Sequence, residues 1–167
     1  MPASDENMRS QRNILIVETE TKFKSELAEF LKELGHNAMA ANTANEGMQI
    51  LDNQKFELLF MDLELPDINA LVFLKQIKET YPSMEIIIVC TQRDSISRRK
   101  AMTMGAIDYI EKPLSKFNVQ LSMERIRKFL TIQEKIHNIE ESNSILNHNL
   151  DALVRDPSRT DRNLAAL

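Results

Sequence analysis

Short apolar runs that end at a polar residue recur through the first two thirds of the chain. The runs within 13–17, 57–62 and 85–90 are apolar through their interior, without the alternation of a half-exposed strand, and the first and last of these three are rich in isoleucine and valine. Such runs are typical of strands in a parallel sheet, where helices cover both faces. The predicted strands are Asn13–Val17, Asn37–Ala41, Glu57–Asp62, Glu85–Cys90 and Ile107–Ile110.

Amphipathic helices are predicted between the strands. In the first, apolar residues recur at helical spacing and Gly35 follows as a C-cap, while Thr43 is placed to cap the second helix. Strands that alternate with helices at a pitch of roughly 20–25 residues indicate right-handed βαβ units. We therefore expect an α/β protein with helices on both faces of a parallel sheet. The predicted helices are Thr21–Leu34, one that follows Thr43, Asn69–Thr80 and Ser95–Met104.

The last third of the chain has a different pattern. Residues 115–155 contain neither glycine nor proline, which predicts one helix of about 40 residues, roughly 60 Å long. Isoleucine at a, leucine at d and a single asparagine at a favour a parallel two-stranded coiled coil over 129–154, with packing inside one chain as the alternative. The heptad positions are Phe129, Ile136, Asn143 and Leu150 at a, and Ile132, Ile139, Leu146 and Leu153 at d.

Composition narrows the class of protein. The 167 residues carry a net charge of −4, which gives no overall attraction to nucleic acid, and Cys90 is the only cysteine. No signal peptide and no apolar run long enough to span a membrane is present, so we expect a cytoplasmic protein. The expected organisation is a disordered lead over 1–12, a domain over 13–128, a coiled-coil helix over 129–155 and a flexible tail over 156–167.

Polar side chains follow the predicted strands at their carboxyl ends, where ligands bind in open α/β sheets. The carboxylate of Asp62 is able to form an aspartyl phosphate, the Lys112 ammonium to offset the phosphoryl charge, and the Thr91 hydroxyl to donate a hydrogen bond to it. The alternatives are a helix cap, a surface lysine and a turn hydroxyl. The strand-end residues are Glu18, Thr19, Glu20, Asp62, Thr91 and Lys112.

Four motifs in order and at matching spacing resemble the receiver domain of bacterial two-component response regulators: ILIVETE, ELLFMDLELPD, IIIVCT and GAIDYIEKP. The resemblance covers about residues 13–127. It implies a flavodoxin-like fold with sheet order 2-1-3-4-5, no enzymatic activity beyond self-catalysed phosphorylation and dephosphorylation, and a cis peptide bond between Lys112 and Pro113. The residue roles it implies are Asp62 as phosphoacceptor, Thr91 and Lys112 as readers of the phosphoryl group, Tyr109 as the switch aromatic, and Glu18, Asp62 and the Glu64 backbone carbonyl as Mg²⁺ ligands.

The chain departs from the family pattern at several positions. Thr19 stands where a metal-ligating aspartate is expected, and we expect Glu20 to point away into solvent. Gln92 follows Thr91 where a small residue is usual, and Ala70 replaces a usual glycine. Losing a carboxylate weakens a hard-cation site, so weak or absent Mg²⁺ binding and poor phosphorylation are expected.

These strand-end residues and the departures from the family pattern are compatible with two functions. The first is a receiver that a histidine kinase, phosphotransfer protein or small phosphodonor phosphorylates on Asp62, with the change passed to a parallel homodimer through 129–154. The second is a receiver used independently of phosphorylation, as a dimeric scaffold or protein-interaction module. In both, nucleic acid and membrane are not expected partners of this chain.

Overall fold

Five parallel strands form one sheet in the order β2-β1-β3-β4-β5. The computed structural model describes residues 11–155; the predicted tail and most of the predicted lead lie outside that range. The predicted α/β fold with sheet order 2-1-3-4-5 is confirmed. The strands are β1 Asn13–Val17, β2 Asn37–Ala41, β3 Leu58–Asp62, β4 Glu85–Cys90 and β5 Asp108–Glu111.

Within the described residues, five α-helices and one short 3₁₀ turn, Gln92–Asp94, connect and follow the strands. The Thr43 hydroxyl accepts a hydrogen bond from the Glu46 backbone N–H, which confirms its predicted role as a cap. Gly35 adopts a φ of 91°, as expected after the first helix. The helices are α1 Thr21–Glu33, α2 Ala44–Asn53, α3 Ala70–Thr80, α4 Ser95–Thr103 and α5 Lys116–Arg155.

The central strands explain the uninterrupted apolar runs. Every residue of β3, and every residue of β1 and β4 after the first, is buried, because helices cover both faces of the sheet. A fully buried aliphatic or aromatic side chain contributes roughly 1.5–3 kcal/mol relative to leaving it in water. The edge strands β2 and β5 are partly exposed, which is why β2 has the weaker apolar pattern.

The prediction of β5 as Ile107–Ile110 is wrong by one residue. The strand is Asp108–Glu111, because parallel pairing sets Cys90 of β4 beside Glu111. Backbone hydrogen bonding fixes the ends of this strand, and the sequence pattern alone does not show which backbone groups are paired.

The chain divides into two compact units between Glu124 and Arg125, and α5 contributes to both. In the second unit, the apolar a and d side chains from Phe129 to Leu153 have between 39% and 60% of their surface exposed. Within residues 11–155, no helix is both long and apolar enough to span a membrane.

Candidate functional site

Three strands deliver charged side chains to one point at the carboxyl edge of the sheet. Hydrogen bonds of the sheet type continue past the strands, from the Glu18 N–H to the Ala41 carbonyl at 3.1 Å and from the Lys112 N–H to the Cys90 carbonyl at 2.8 Å. Asp62 is itself the last residue of β3. The backbone is therefore held where these side chains leave it, and the expected convergence of Glu18, Asp62 and Lys112 is found.

The Lys112 ammonium lies at the centre of this group. Its Nζ is 3.0 Å from Glu18 Oε1, 3.0 Å from Asp62 Oδ2 and 3.3 Å from Glu20 Oε2. Burial alone lowers the pKa of a lysine, but hydrogen bonds to Glu18 and Asp62 outweigh burial and raise the pKa of Lys112. One ammonium thus faces three carboxyl groups, which leaves the site short of positive charge.

Glu18 shows the consequence of that imbalance. Its side chain is fully buried, and Oε1 accepts hydrogen bonds from Lys112 at 3.0 Å and from the Glu20 N–H at 2.8 Å. Its second oxygen, Oε2, is buried with no hydrogen-bond partner. Burial, followed by the interaction with Asp62, raises the pKa of Glu18 to about 7.

Thr19 and Glu20 occupy opposite sides of the chain after β1. The Thr19 hydroxyl donates to the Asn42 carbonyl at 3.0 Å, so it is turned toward the loop after β2. Glu20 was expected to point into solvent, and its carboxylate instead contacts Lys112, although 56% of its side chain is exposed. Side chains alternate along extended backbone, so Glu18 and Glu20 share a side. This alternation was the signal in the sequence that could have found Glu20.

The donor chemistry fits a hard divalent cation, but the geometry is not arranged around one. Carboxylate oxygens are the ligands that Mg²⁺ prefers, and Glu18 Oε2 is an oxygen without another partner. Asp62 Oδ1 accepts a hydrogen bond from the Glu64 N–H at 3.0 Å, so the Glu64 backbone lies next to the Asp62 carboxylate. No group of three or more His, Cys, Asp or Glu residues in the described part of the chain is arranged to hold a metal ion.

Thr91 and Tyr109 are held by residues that the sequence analysis did not identify. The Asp94 carboxylate accepts hydrogen bonds from the Thr91 hydroxyl at 2.8 Å and from the Thr91 N–H at 2.7 Å. The Arg98 guanidinium lies 4.5 Å from the centre of the Tyr109 ring. The Thr-x-x-Asp spacing is close to a capping box and was the available signal for Asp94.

The loop after β3 is fixed by Asp67. Its carboxylate accepts hydrogen bonds from the N–H groups of Ala44 at 3.1 Å and Asn45 at 2.9 Å, at the start of α2. Its slight burial opposes ionisation, but the two backbone hydrogen bonds outweigh it and lower the pKa of Asp67. The expected cis peptide bond between Lys112 and Pro113 is present.

Comparison with known proteins agrees with this fold. The family model of the response regulator receiver domain matches residues 14–124. The chain is 29% identical over 120 residues to the transcriptional regulatory protein CrdR of Helicobacter pylori, across 71% of this chain and 55% of that protein. It is 31% identical over 118 residues to a putative response regulator NtrX-like of Rickettsia felis, across 70% of this chain and 25% of that protein.

A solved structure described as the BeF3-activated DrrB receiver domain is 25% identical, with a TM-score of 0.62, and the match covers 72% of this chain and 98% of the chain in that structure. The chain spans between about a quarter and about half the length of the two curated relatives. The match to the family model covers more than half of the 167 residues. The chain therefore belongs to the response regulator receiver domain family of two-component systems.

Proposed function

We propose that this chain is a receiver module of a phosphorelay that accepts a phosphoryl group on Asp62. The observation that carries the proposal is the Asp62–Lys112 pair, with a carboxylate oxygen 3.0 Å from a lysine ammonium at the carboxyl edge of the sheet. Family membership supports a histidine kinase or a phosphotransfer protein as the donor. The cofactor expected from the family is Mg²⁺, with Glu18, Asp62 and the Glu64 carbonyl as ligands.

The proposed transfer needs few protein groups. An Asp62 oxygen attacks phosphorus, a new O–P bond forms, and the bond from phosphorus to the donor nitrogen or oxygen breaks as the leaving group keeps its electron pair. Bound Mg²⁺ would neutralise part of the charge that builds up on the phosphoryl oxygens. Lys112 already contacts Asp62 and remains as a cation for the phosphoryl oxygens, while Thr91 must leave Asp94 before its hydroxyl can donate to one of them.

One set of observations favours a second function, a receiver that works without phosphorylation. Thr19 supplies no carboxylate and its hydroxyl is bonded to the Asn42 carbonyl. Lys112 already donates a hydrogen bond to one oxygen of Glu18 and to one oxygen of Asp62. In the part of the chain that the structure describes, Lys112 is the cation that contacts these carboxylates. Such a site can keep the fold stable and still bind Mg²⁺ poorly, which would leave the chain as a protein-interaction module.

Intact mass after incubation with acetyl phosphate and Mg²⁺ separates the two functions. A gain of about 80 Da on the wild-type chain, absent from Asp62→Asn, supports phosphorylation of Asp62. Thr19→Asp restores a carboxylate beside Glu18, so we expect faster labelling and tighter Mg²⁺ binding by calorimetry. No adduct on either the wild type or Thr19→Asp, under conditions that label another receiver, would reject the first function.

We also propose that residues 129–154 form a parallel two-stranded coiled coil with a second copy of the chain. The exposure of the a and d side chains supports this, because burying them against another helix removes a continuous apolar stripe from water. Asn143 supports the parallel arrangement, since two copies at one a layer can bond to each other across the axis. Sedimentation of the full chain and of a chain ending at Lys128 tests this. A full chain that sediments as a monomer, like the shortened chain, would reject the dimer.

A further inference from the structure

Both switch residues of the proposed phosphorelay site contact the segment that joins the 3₁₀ turn to the beginning of α4. The Thr91 hydroxyl and the Thr91 N–H both donate hydrogen bonds to the Asp94 carboxylate, and the Arg98 guanidinium lies over the Tyr109 ring. Asp94 and Arg98 are four residues apart, a spacing that places two side chains on one side of a helical turn. One short segment therefore contacts the residue at the end of β4 and the aromatic of β5.

Arg98 is fixed more firmly than a surface arginine. Its side chain is only 23% exposed, and its guanidinium forms an ion pair and hydrogen bond with Glu111 at the end of β5. A guanidinium 4.5 Å from the centre of a tyrosine ring is within the range of a cation–π interaction. The Tyr109 ring, which is 39% exposed, is thereby held at the surface of the domain.

We propose that Asp94 and Arg98 are positioning residues that restrain Thr91 and Tyr109 in the unphosphorylated state. The proposal rests on the proposed function, because it assigns these two residues to the switch that phosphorylation of Asp62 would drive. The Thr91 hydroxyl has one proton, which is shared with Asp94 and cannot at the same time be donated to a phosphoryl oxygen. Movement of Tyr109 likewise requires the ring to leave Arg98.

These contacts set the balance between the two states of the switch. A contact that stabilises the unphosphorylated arrangement reduces the fraction of protein molecules that can bind a phosphoryl group. The apparent affinity for that group falls by the same factor. Loss of a cation–π contact at a partly exposed site should change the ratio of the two arrangements about two- to fivefold. Removing Arg98 or Asp94 is expected to shift the balance toward the phosphorylated arrangement.

The chain offers a direct probe of the Tyr109 ring, since it has two tyrosines and no tryptophan. In a Tyr81→Phe background, the full chain labelled with 3-fluorotyrosine gives one ¹⁹F resonance, from Tyr109. We expect Arg98→Met to move or broaden that resonance without any phosphodonor, and Arg98→Lys to retain most of the wild-type shift. Arg99→Met, at the exposed neighbouring position, is the matched control and should leave the resonance in place.

An unchanged ¹⁹F spectrum in Arg98→Met would overturn the role of Arg98. This measurement needs no phosphoryl transfer, so its result stands even if Asp62 is never labelled.

For Asp94, the probe is beryllofluoride with Mg²⁺, and its binding is followed through the ¹⁹F resonance of Tyr109. Asp94→Ala should reach half-saturation at about two- to fivefold lower concentration than the parent, and Asp94→Asn, which keeps an oxygen acceptor, should lie between them. Equal or weaker binding by Asp94→Ala would overturn its role.

Discussion

Lys112 Nζ and Asp62 Oδ2 lie 3.0 Å apart, although fifty residues of chain separate them. The bond joins the ends of two strands that are not neighbours in the sheet, since β4 lies between β3 and β5. It therefore exists only when the sheet is assembled in its native order. Within the described residues, the same ammonium also reaches Glu18 and Glu20, so one cation contacts all three carboxylates of the site.

The first prediction is that Lys112→Met strongly destabilises the fold. Removing the ammonium leaves Glu18 and Asp62 buried without a positive partner, and we expect a loss of about 3 kcal/mol in the free energy of unfolding. The loss should shrink as the pH falls through about 7, because protonation of Glu18 removes one of the two buried negative charges. Urea unfolding at several pH values measures it.

Lys75→Met is the control for that experiment. Lys75 is 69% exposed on α3 and its ion pair with Glu79 is long, at 3.9 Å, so the change should be close to zero. A Lys112→Met protein as stable as the Lys75→Met protein would contradict the view that Lys112 stabilises the buried carboxylates.

Particular residues show how far the sequence alone could lead. The apolar runs of β1, β3 and β4 predicted the sheet because both faces of these strands are buried, so burial and sequence pattern coincide. At the site, the strand ends located Glu18, Asp62 and Lys112. The hydrogen-bond partners of the site residues could not be predicted from the sequence in the same way. The Thr19 side chain, for example, could face either the site or Asn42, and tertiary packing decides between them.

The second prediction concerns the pH dependence of stability at His36. Its Nδ1 accepts a hydrogen bond from the Arg12 N–H at 3.2 Å, and burial, assisted by the Arg12 charge, lowers the pKa of His36 below its ordinary value of 6.5. The folded state therefore binds this proton less readily than the unfolded state. The stabilisation is fully present above pH 6.5 and is lost as the pH falls through and below that value.

Chemical unfolding of wild type and His36→Asn across this range provides the measurement. Asparagine keeps an oxygen acceptor near the position of Nδ1 and does not titrate, so the variant should lose less stability than wild type on acidification. His137→Asn, at an exposed position on α5, should follow the wild-type curve. Parallel curves for wild type and His36→Asn would show that His36 does not contribute.

The third prediction is that Gly47→Ala destabilises the protein, although alanine is the better helix former. A Cβ at position 47 of α2 would lie 2.8 Å from Cγ2 of Val17, the residue that precedes Glu18. Overpacking at this contact should cost about 1–2 kcal/mol in thermal or urea unfolding. Gln49→Ala, at an exposed position of the same helix, is the control and should stay within about 0.5 kcal/mol of wild type.

The cost of Gly47→Ala can be assigned to one contact. Val17→Ala removes the methyl group that the new Cβ would meet, so Gly47→Ala should cost much less in that background than alone. Additive costs for the two substitutions would indicate that the destabilisation arises elsewhere in α2.

The last prediction tests the orientation of the proposed coiled coil through its flanking charges. In the heptad that places Asn143 at a, Lys135 is at g and Glu140 at e, so a parallel in-register pair sets Lys135 of one copy beside Glu140 of the other, twice by symmetry. Lys135→Glu should weaken dimerisation about tenfold in sedimentation equilibrium at low salt, and adding Glu140→Lys should restore it. Lys128→Glu changes the net charge equally but faces neutral Gln133, so its effect should be small. Failure of the double exchange to restore the dimer would exclude the parallel register, because an antiparallel pair centred here sets Glu140 against Glu140.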